Sequence, residues 1–188
     1  MRRKHYFFYE IIKDGILLYD DGTFQIGKPE KLPFGKLSNI AEEEYAECFD
    51  MGECFLDSGH TAYKNGNFKY GSFLLHQACE RFYKTFTLVY SAFALNLMNW
   101  KCWERWLKAV HENSQMYFHP YFEDNKAFDK LCRAYVEARY NRLFTVSKEQ
   151  YEYMLAQTEV LHEVTIRECA ARMAYYDEMI EKEEKDKM

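Results

Sequence analysis

Only three prolines occur in this 188-residue chain, and two of them, Pro29 and Pro33, lie close together near the start. Proline removes a backbone donor and clashes with the preceding turn, so it interrupts helices. Beyond Pro33 only Pro120 stands in the way of long continuous elements. The hydrophobic pattern of that region is helical to the end. Asn39 with Glu42 forms a capping-box signature. The first helix then repeats Tyr45, Cys48, Phe49, Gly52, Phe55, Leu56 and Tyr63 on one face, and "NGN" at 65–67 ends it.

A second helix is expected over about 68–94. A third, over about 99–113, would present Trp100, Trp103, Trp106, Leu107 and Val110. "HPYFED" at 119–124 breaks the chain before a fourth helix over about 124–143. Ser147 with Gln150 makes a second capping box, opening a last helix with Tyr151, Met154, Leu155, Thr158, Leu161 and Thr165 on one side. Short connections predict an all-α fold, an up-and-down antiparallel helical bundle of four to five helices.

The N-terminal segment reads differently. "FFYEII", "GILLYD" and "TFQIG" are short β-rich runs, and "DDG" at 20–22 is a hairpin-type turn signal. The expected organisation is a β-hairpin appendage and linker over 1–37, the bundle over 38–180, and a solvated charged tail over 181–188.

Composition narrows the function classes. A hydrophobic share of 48% and an aromatic share of 18% indicate a globular chain. Net charge is −5, which does not favour a non-specific nucleic-acid coat but leaves room for a local basic groove. No apolar run approaches the ~18 residues of a membrane span, and the basic "MRRK" start leads into an apolar run too short for a signal peptide, interrupted at Glu10. The six cysteines are scattered with no C-x-x-C, so buried thiols in a reducing cytoplasm are expected. Neither they nor the histidines have metal-ligand spacing, and no glycine-rich phosphate loop occurs, so no metal and no cofactor are expected. The Trp100, Trp103 and Trp106 stripe reads as packing, with a dimer interface as the next option.

Two helices carry an arginine where a hydrophobe is expected. Wound at 100° per residue, the second helix has a broad apolar arc, with His76, Gln77, Glu80 and Lys84 on the remaining strip. Arg81 falls inside the arc beside Leu74 and Leu88. On the fourth helix Arg139 falls between Phe128 and Cys132. An internal ion pair, for instance with Glu80, accounts for such arginines. So does an inter-helical groove that recognises a phosphate or a planar base, for which guanidinium is well suited.

"SFLLHQACERFYKTFTLVY" and, some fifty residues later, "CRAYVEARYNRLF" resemble the HEPN domain family. The likeness is to the branch that follows a minimal nucleotidyltransferase in bacteria, through Leu75–Arg81 on the second helix and Ala134–Tyr140 on the fourth. It covers about residues 38–172. It implies a helical bundle, usually a dimer, with a polar groove between the motif helices. It further implies a cytoplasmic nucleotide- or RNA-binding partner of a nucleotidyltransferase, in a toxin–antitoxin or stress context. Arg81, Arg139, His76, Gln77, Glu80 and Tyr140 are the expected ligand-binding residues.

Two departures bear on activity. Many family members are metal-independent ribonucleases with an Arg, then four to six intervening residues, then a His. After Arg139 those positions hold Phe144 and Thr145, then Val146. Arg105 and His111 have that spacing but lie in the Trp-rich stretch. His76 could stand in beside Arg139, which leaves a ribonuclease with a rearranged site as an alternative, and a structural dimerisation module as another. The catalytic candidates are therefore Arg139 and His76. Nucleotidyl transfer needs a Gly-Ser turn followed by paired aspartates. Gly71-Ser72 has no such pair after it, so this chain is not expected to perform that reaction.

Overall fold

The computed structural model describes residues 33–91 and 125–186, with isolated positions between 15 and 23. Four helices make up the described part: α1 Phe34–Lys64, α2 Phe68–Ser91, α3 Asn125–Tyr140 and α4 Lys148–Lys185. No strand occurs among the described residues. The expected β-hairpin and Trp-rich helix lie outside them, apart from a local turn in which Thr23 N and Oγ1 both donate to Asp21 Oδ1.

α1 begins six residues earlier than the Asn39/Glu42 signature indicates. Pro33 is its N-cap, with φ −59° and ψ 146° and no side-chain cap. Lys36 N and Leu37 N donate to Pro33 O at 3.0 and 3.2 Å. The fixed φ of proline has already set the first turn, so Asn39 is left inside the helix. At the other end Gly66 takes φ +69°, a left-handed conformation that suits glycine and reverses the chain into α2. Asn67 N closes that turn on Ala62 O at 2.9 Å.

Each helix runs antiparallel to the one before it. Gly52 of α1 meets Phe82 of α2, while Gly59 meets Leu75. Cβ atoms at these glycines would come within 2.6 Å of Phe82 Cε1 and 2.7 Å of Leu75 Cδ2. Bare glycine backbone therefore allows the close crossing of α1 and α2. α3 runs back along α2, with Leu131 opposite His76 and Tyr135 opposite Phe73. The α4 capping box forms as expected, with Gln150 N donating to Ser147 Oγ at 3.2 Å and Ser147 N donating to Gln150 Oε1 at 3.2 Å.

The core lies where α1, α2 and α4 converge. Leu75, Phe82 and Phe86 of α2 pack with Tyr151, Met154 and Leu161 of α4 and are essentially without solvent contact. All six expected face residues of α4 are buried. Tyr151 is the anchor: its hydroxyl donates to Gly59 O at 2.9 Å, and its ring stacks on Tyr63 at 6.2 Å. The α1–α4 edge is polar, with His162 Nε2 at 3.0 Å from Glu53 and His60 Nε2 at 3.3 Å from Glu159. Both histidines thus sit at the α1–α4 edge. Cys48, Cys79 and Cys169 are buried, but Cys132 is half-buried and Cys54 is exposed, so the expectation of buried thiols holds for only part of the set. None of the described helices is long and apolar enough to cross a membrane.

Candidate functional site

α3 presents Ala127, Leu131, Ala134 and Ala138 to the bundle, all fully buried. The true centre of its inner face is therefore displaced from the expected Phe128–Cys132 line toward this row. Arg139 ends up about 100° from that centre and is exposed. It is not embedded in the apolar face, and among the described residues it makes no ion pair with Glu80.

What holds Arg139 is aromatic. Its Cζ lies 4.4 Å from the centre of the Tyr135 ring and 5.1 Å from the centres of both Phe73 and Tyr140. Its Nε donates to Tyr135 O at 2.7 Å. Each ring is within the ~6 Å over which the quadrupole of a π face attracts a cation. The guanidinium is fixed by its Nε and its faces, which leaves its terminal amino groups as the donors for a ligand. Tyr135 stands four residues before Arg139, a spacing that juxtaposes side chains on a helix, and this was the sequence signal for a partner the motif reading missed. Phe73 comes from α2 and had no such signal.

The end of α3 beside this cradle exposes apolar side chains. Tyr140 is 74% exposed, Leu143 88% and Tyr70 62%. Lys69 Nζ donates to Asn141 O at 2.7 Å and so ties the start of α2 to the end of α3. Residues 125–144 hold Lys126, Lys130, Arg133, Arg139 and Arg142 against only Asp129 and Glu137, in a chain that is acidic as a whole.

His76 is not on the wet strip where its position suggested. α3 covers it, leaving the residue 6% exposed. Its Nδ1 is 3.0 Å from Leu131 O. A carbonyl only accepts, so Nδ1 carries the proton. Burial pushes the imidazole down to about 4, opposed by the Leu131 hydrogen bond and reinforced by the Arg139 charge. At neutral pH it is a neutral donor locking α2 to α3. Its ring lies 5.3 Å from that of Tyr135, so His76 and Arg139 flank the same tyrosine.

The other expected residues divide. Tyr140 belongs to the cradle. Arg81 lies about 140° around α2 from His76, on the side facing α1. There burial raises the Cys48 thiol while the nearby Lys84 and Arg81 charges act to lower it. Arg81 is half-buried, and among the described residues its Nε has no hydrogen-bond partner. Gln77 Oε1 is likewise buried without a partner, and Glu80 is half-buried. These three residues take no part in the Arg139 cradle.

Among the described residues no group of His, Cys, Asp and Glu could hold a metal ion. Comparison with models of known protein families gives no match to this chain. Nor does any curated protein sequence match it.

Proposed function

We infer that this chain is a HEPN-type helical bundle that binds a nucleotide or RNA and serves as the accessory of a minimal nucleotidyltransferase. The setting we propose is the bacterial cytoplasm, in a toxin–antitoxin or stress system, with the chain acting as a homodimer. The motif pair Leu75–Arg81 and Ala134–Tyr140 motivates the family. One observation carries the binding: an exposed guanidinium, Arg139, held by three aromatic rings beside the exposed ring of Tyr140. Guanidinium amino groups recognise phosphate oxygens, and an exposed tyrosine face stacks an unpaired base.

The test is thermal denaturation with ATP, GTP and a short single-stranded RNA. A ligand that binds only the folded state raises the melting temperature. The rise should disappear in Arg139→Ala and persist in Arg81→Lys, because Arg81 is outside the cradle. No rise with any of the three would refute the reading.

A second reading, a metal-independent ribonuclease built on Arg139 and His76, draws support from their shared contact with Tyr135. It requires RNA cleavage that survives EDTA and is lost in both Arg139→Ala and His76→Asn. The burial of His76 weighs against it, since a general base must reach the hydroxyl it activates.

A further inference from the structure

A second caged arginine lies at the other end of α2. Arg172 of α4 is half-buried, and its Cζ stands 5.1 Å from the ring centre of Tyr90, 4.8 Å from Tyr175 and 4.7 Å from Tyr176. Its Nε is buried and has no hydrogen-bond partner among the described residues. A buried charged donor without an acceptor is costly, and native structures rarely leave one so.

The obvious internal partner is engaged elsewhere. Glu168 is one turn before Arg172 on α4, but its Oε1 accepts from Nε and Nη2 of Arg167, both at 3.1 Å. Among the described residues Arg172 forms no ion pair. The cage is not loose, however. Tyr176 Oη donates to Val89 O at 2.9 Å, and Tyr90 Oη donates to Glu168 O at 3.3 Å. Phe34, at the start of α1, meets the edge of Tyr175 with ring centres 6.2 Å apart. Burial pushes the Tyr90 phenol up to about 12, so it brings no negative charge to the cage at neutral pH. Tyr175 is 40% exposed and marks the side open to solvent.

From the clamped guanidinium, with no acceptor on its Nε–H and no carboxylate on it among the described residues, we propose that Arg172 with Tyr90, Tyr175 and Tyr176 forms a binding site for the oxyanion group of a small ligand. A phosphate ester or a carboxylate supplies the chemistry, since both match the guanidinium fork. The site is separate from Arg139. Phe73 and Tyr90, the α2 residues of the two cages, are seventeen positions apart, or about 25 Å along the helix at 1.5 Å per residue. It stands or falls independently of the nucleotide-binding reading.

The test is nuclear magnetic resonance of the arginine Nε–H groups in the 15N-labelled wild-type chain. The Arg172 signal is assigned through bonds and followed during additions of inorganic phosphate, sodium acetate or sodium chloride at matched ionic strength. The expected result is a saturable shift in the millimolar range with phosphate, acetate or both, and none with chloride. Saturation by phosphate alone assigns the phosphate class, by acetate alone the carboxylate class, and by both a general oxyanion site. Arg172→Lys, which keeps the charge but loses the fork, should show no saturable change in neighbouring backbone signals, while Arg139→Ala should leave the Arg172 response intact. A wild-type response to phosphate and acetate that only matches chloride would overturn the proposal.

Discussion

The Nε of Arg139 donates to the backbone carbonyl of Tyr135 at 2.7 Å while its guanidinium carbon lies 4.4 Å from the centre of the same tyrosine ring. One residue thus fixes both an edge and a face of the cation. An arginine on a flexible stem loses entropy when it binds. This one has lost much of it in the free protein.

Replacing Arg139 should therefore separate binding from stability. The side chain is exposed, and cation–π contacts at exposed sites contribute about 0.5–1 kcal/mol. Arg139→Ala is expected to lower stability by no more than about 1 kcal/mol while abolishing nucleotide or RNA binding. Arg139→Lys should lose most of the binding as well, because an ammonium lacks the planar fork. Urea unfolding and fluorescence anisotropy with labelled RNA measure the two quantities on the same samples. A large loss of stability in Arg139→Lys with binding retained would mean the cradle is scaffolding.

The burial of His76 makes stability depend on pH. Burial holds the folded imidazole at about 4, below its ordinary value of 6.5. Between those values the unfolded chain binds more protons than the folded one, so stability rises with pH there. The contribution is fully present above about pH 6.5 and is lost as pH falls toward 4. A shift of that size corresponds to something on the order of 3 kcal/mol. His76→Asn can keep a donor near Leu131 O but does not titrate. Its stability should fall less steeply than that of the wild type over this window in urea unfolding at a series of pH values. Parallel slopes would show that His76 is not the titrating group.

His76 also illustrates where the sequence stopped being informative. The helix faces that meet the core were legible: the buried row of α4 from Tyr151 to Thr165 and the arc of α2 through Leu75, Cys79 and Phe82 follow from periodicity alone. A wheel, however, reports one helix at a time. It puts His76 on a polar strip, and His76 is buried. For His76 the burial comes from α3, which packs across the strip. Conversely, the wheel puts Arg139 between Phe128 and Cys132, in the apolar face. The buried row is Ala127, Leu131, Ala134 and Ala138, which leaves Arg139 at the side. The aromatic cages of Arg139 and Arg172 draw partly on the same helix, at spacings of three or four residues (and the adjacent Tyr140), and partly on α2. Only the same-helix contributions could have been found from spacing.

The α4 capping box predicts a local effect. Ser147 Oγ accepts from Gln150 N, and the Gln150 side chain both accepts from Ser147 N and receives a bond from Lys130 Nζ at 2.8 Å. Gln150 therefore joins the cap of α4 to α3. Ser147→Ala should cost about 0.5–2 kcal/mol. Gln150→Ala should cost as much or more, because it releases two donors. Equal stability of Gln150→Ala and the wild type in urea unfolding would contradict the geometry.

Gly71 makes the sharpest prediction about packing. In an exposed helix interior, Gly→Ala gains about 1 kcal/mol from lower backbone entropy in the unfolded chain and better helix propensity. Here the sign should reverse. A Cβ at Gly71 would lie 2.6 Å from Tyr151 Cε2, nearer than atoms of that kind can approach. Tyr151 cannot easily withdraw, because its ring is fully buried and its hydroxyl is bonded to Gly59 O. Gly71→Ala should therefore destabilise by about 1–3 kcal/mol, the usual range for overpacking a core. Tyr151→Phe should cost about 1 kcal/mol for the lost hydrogen bond. The decisive comparison is the double-mutant cycle with Tyr151→Leu. With the ring gone, Gly71→Ala should become neutral or stabilising, giving a coupling energy of about 1–3 kcal/mol. If Gly71→Ala stabilises the wild-type background as it would an exposed helix, then Tyr151 does not sit against that glycine and the α2–α4 contact is wrong.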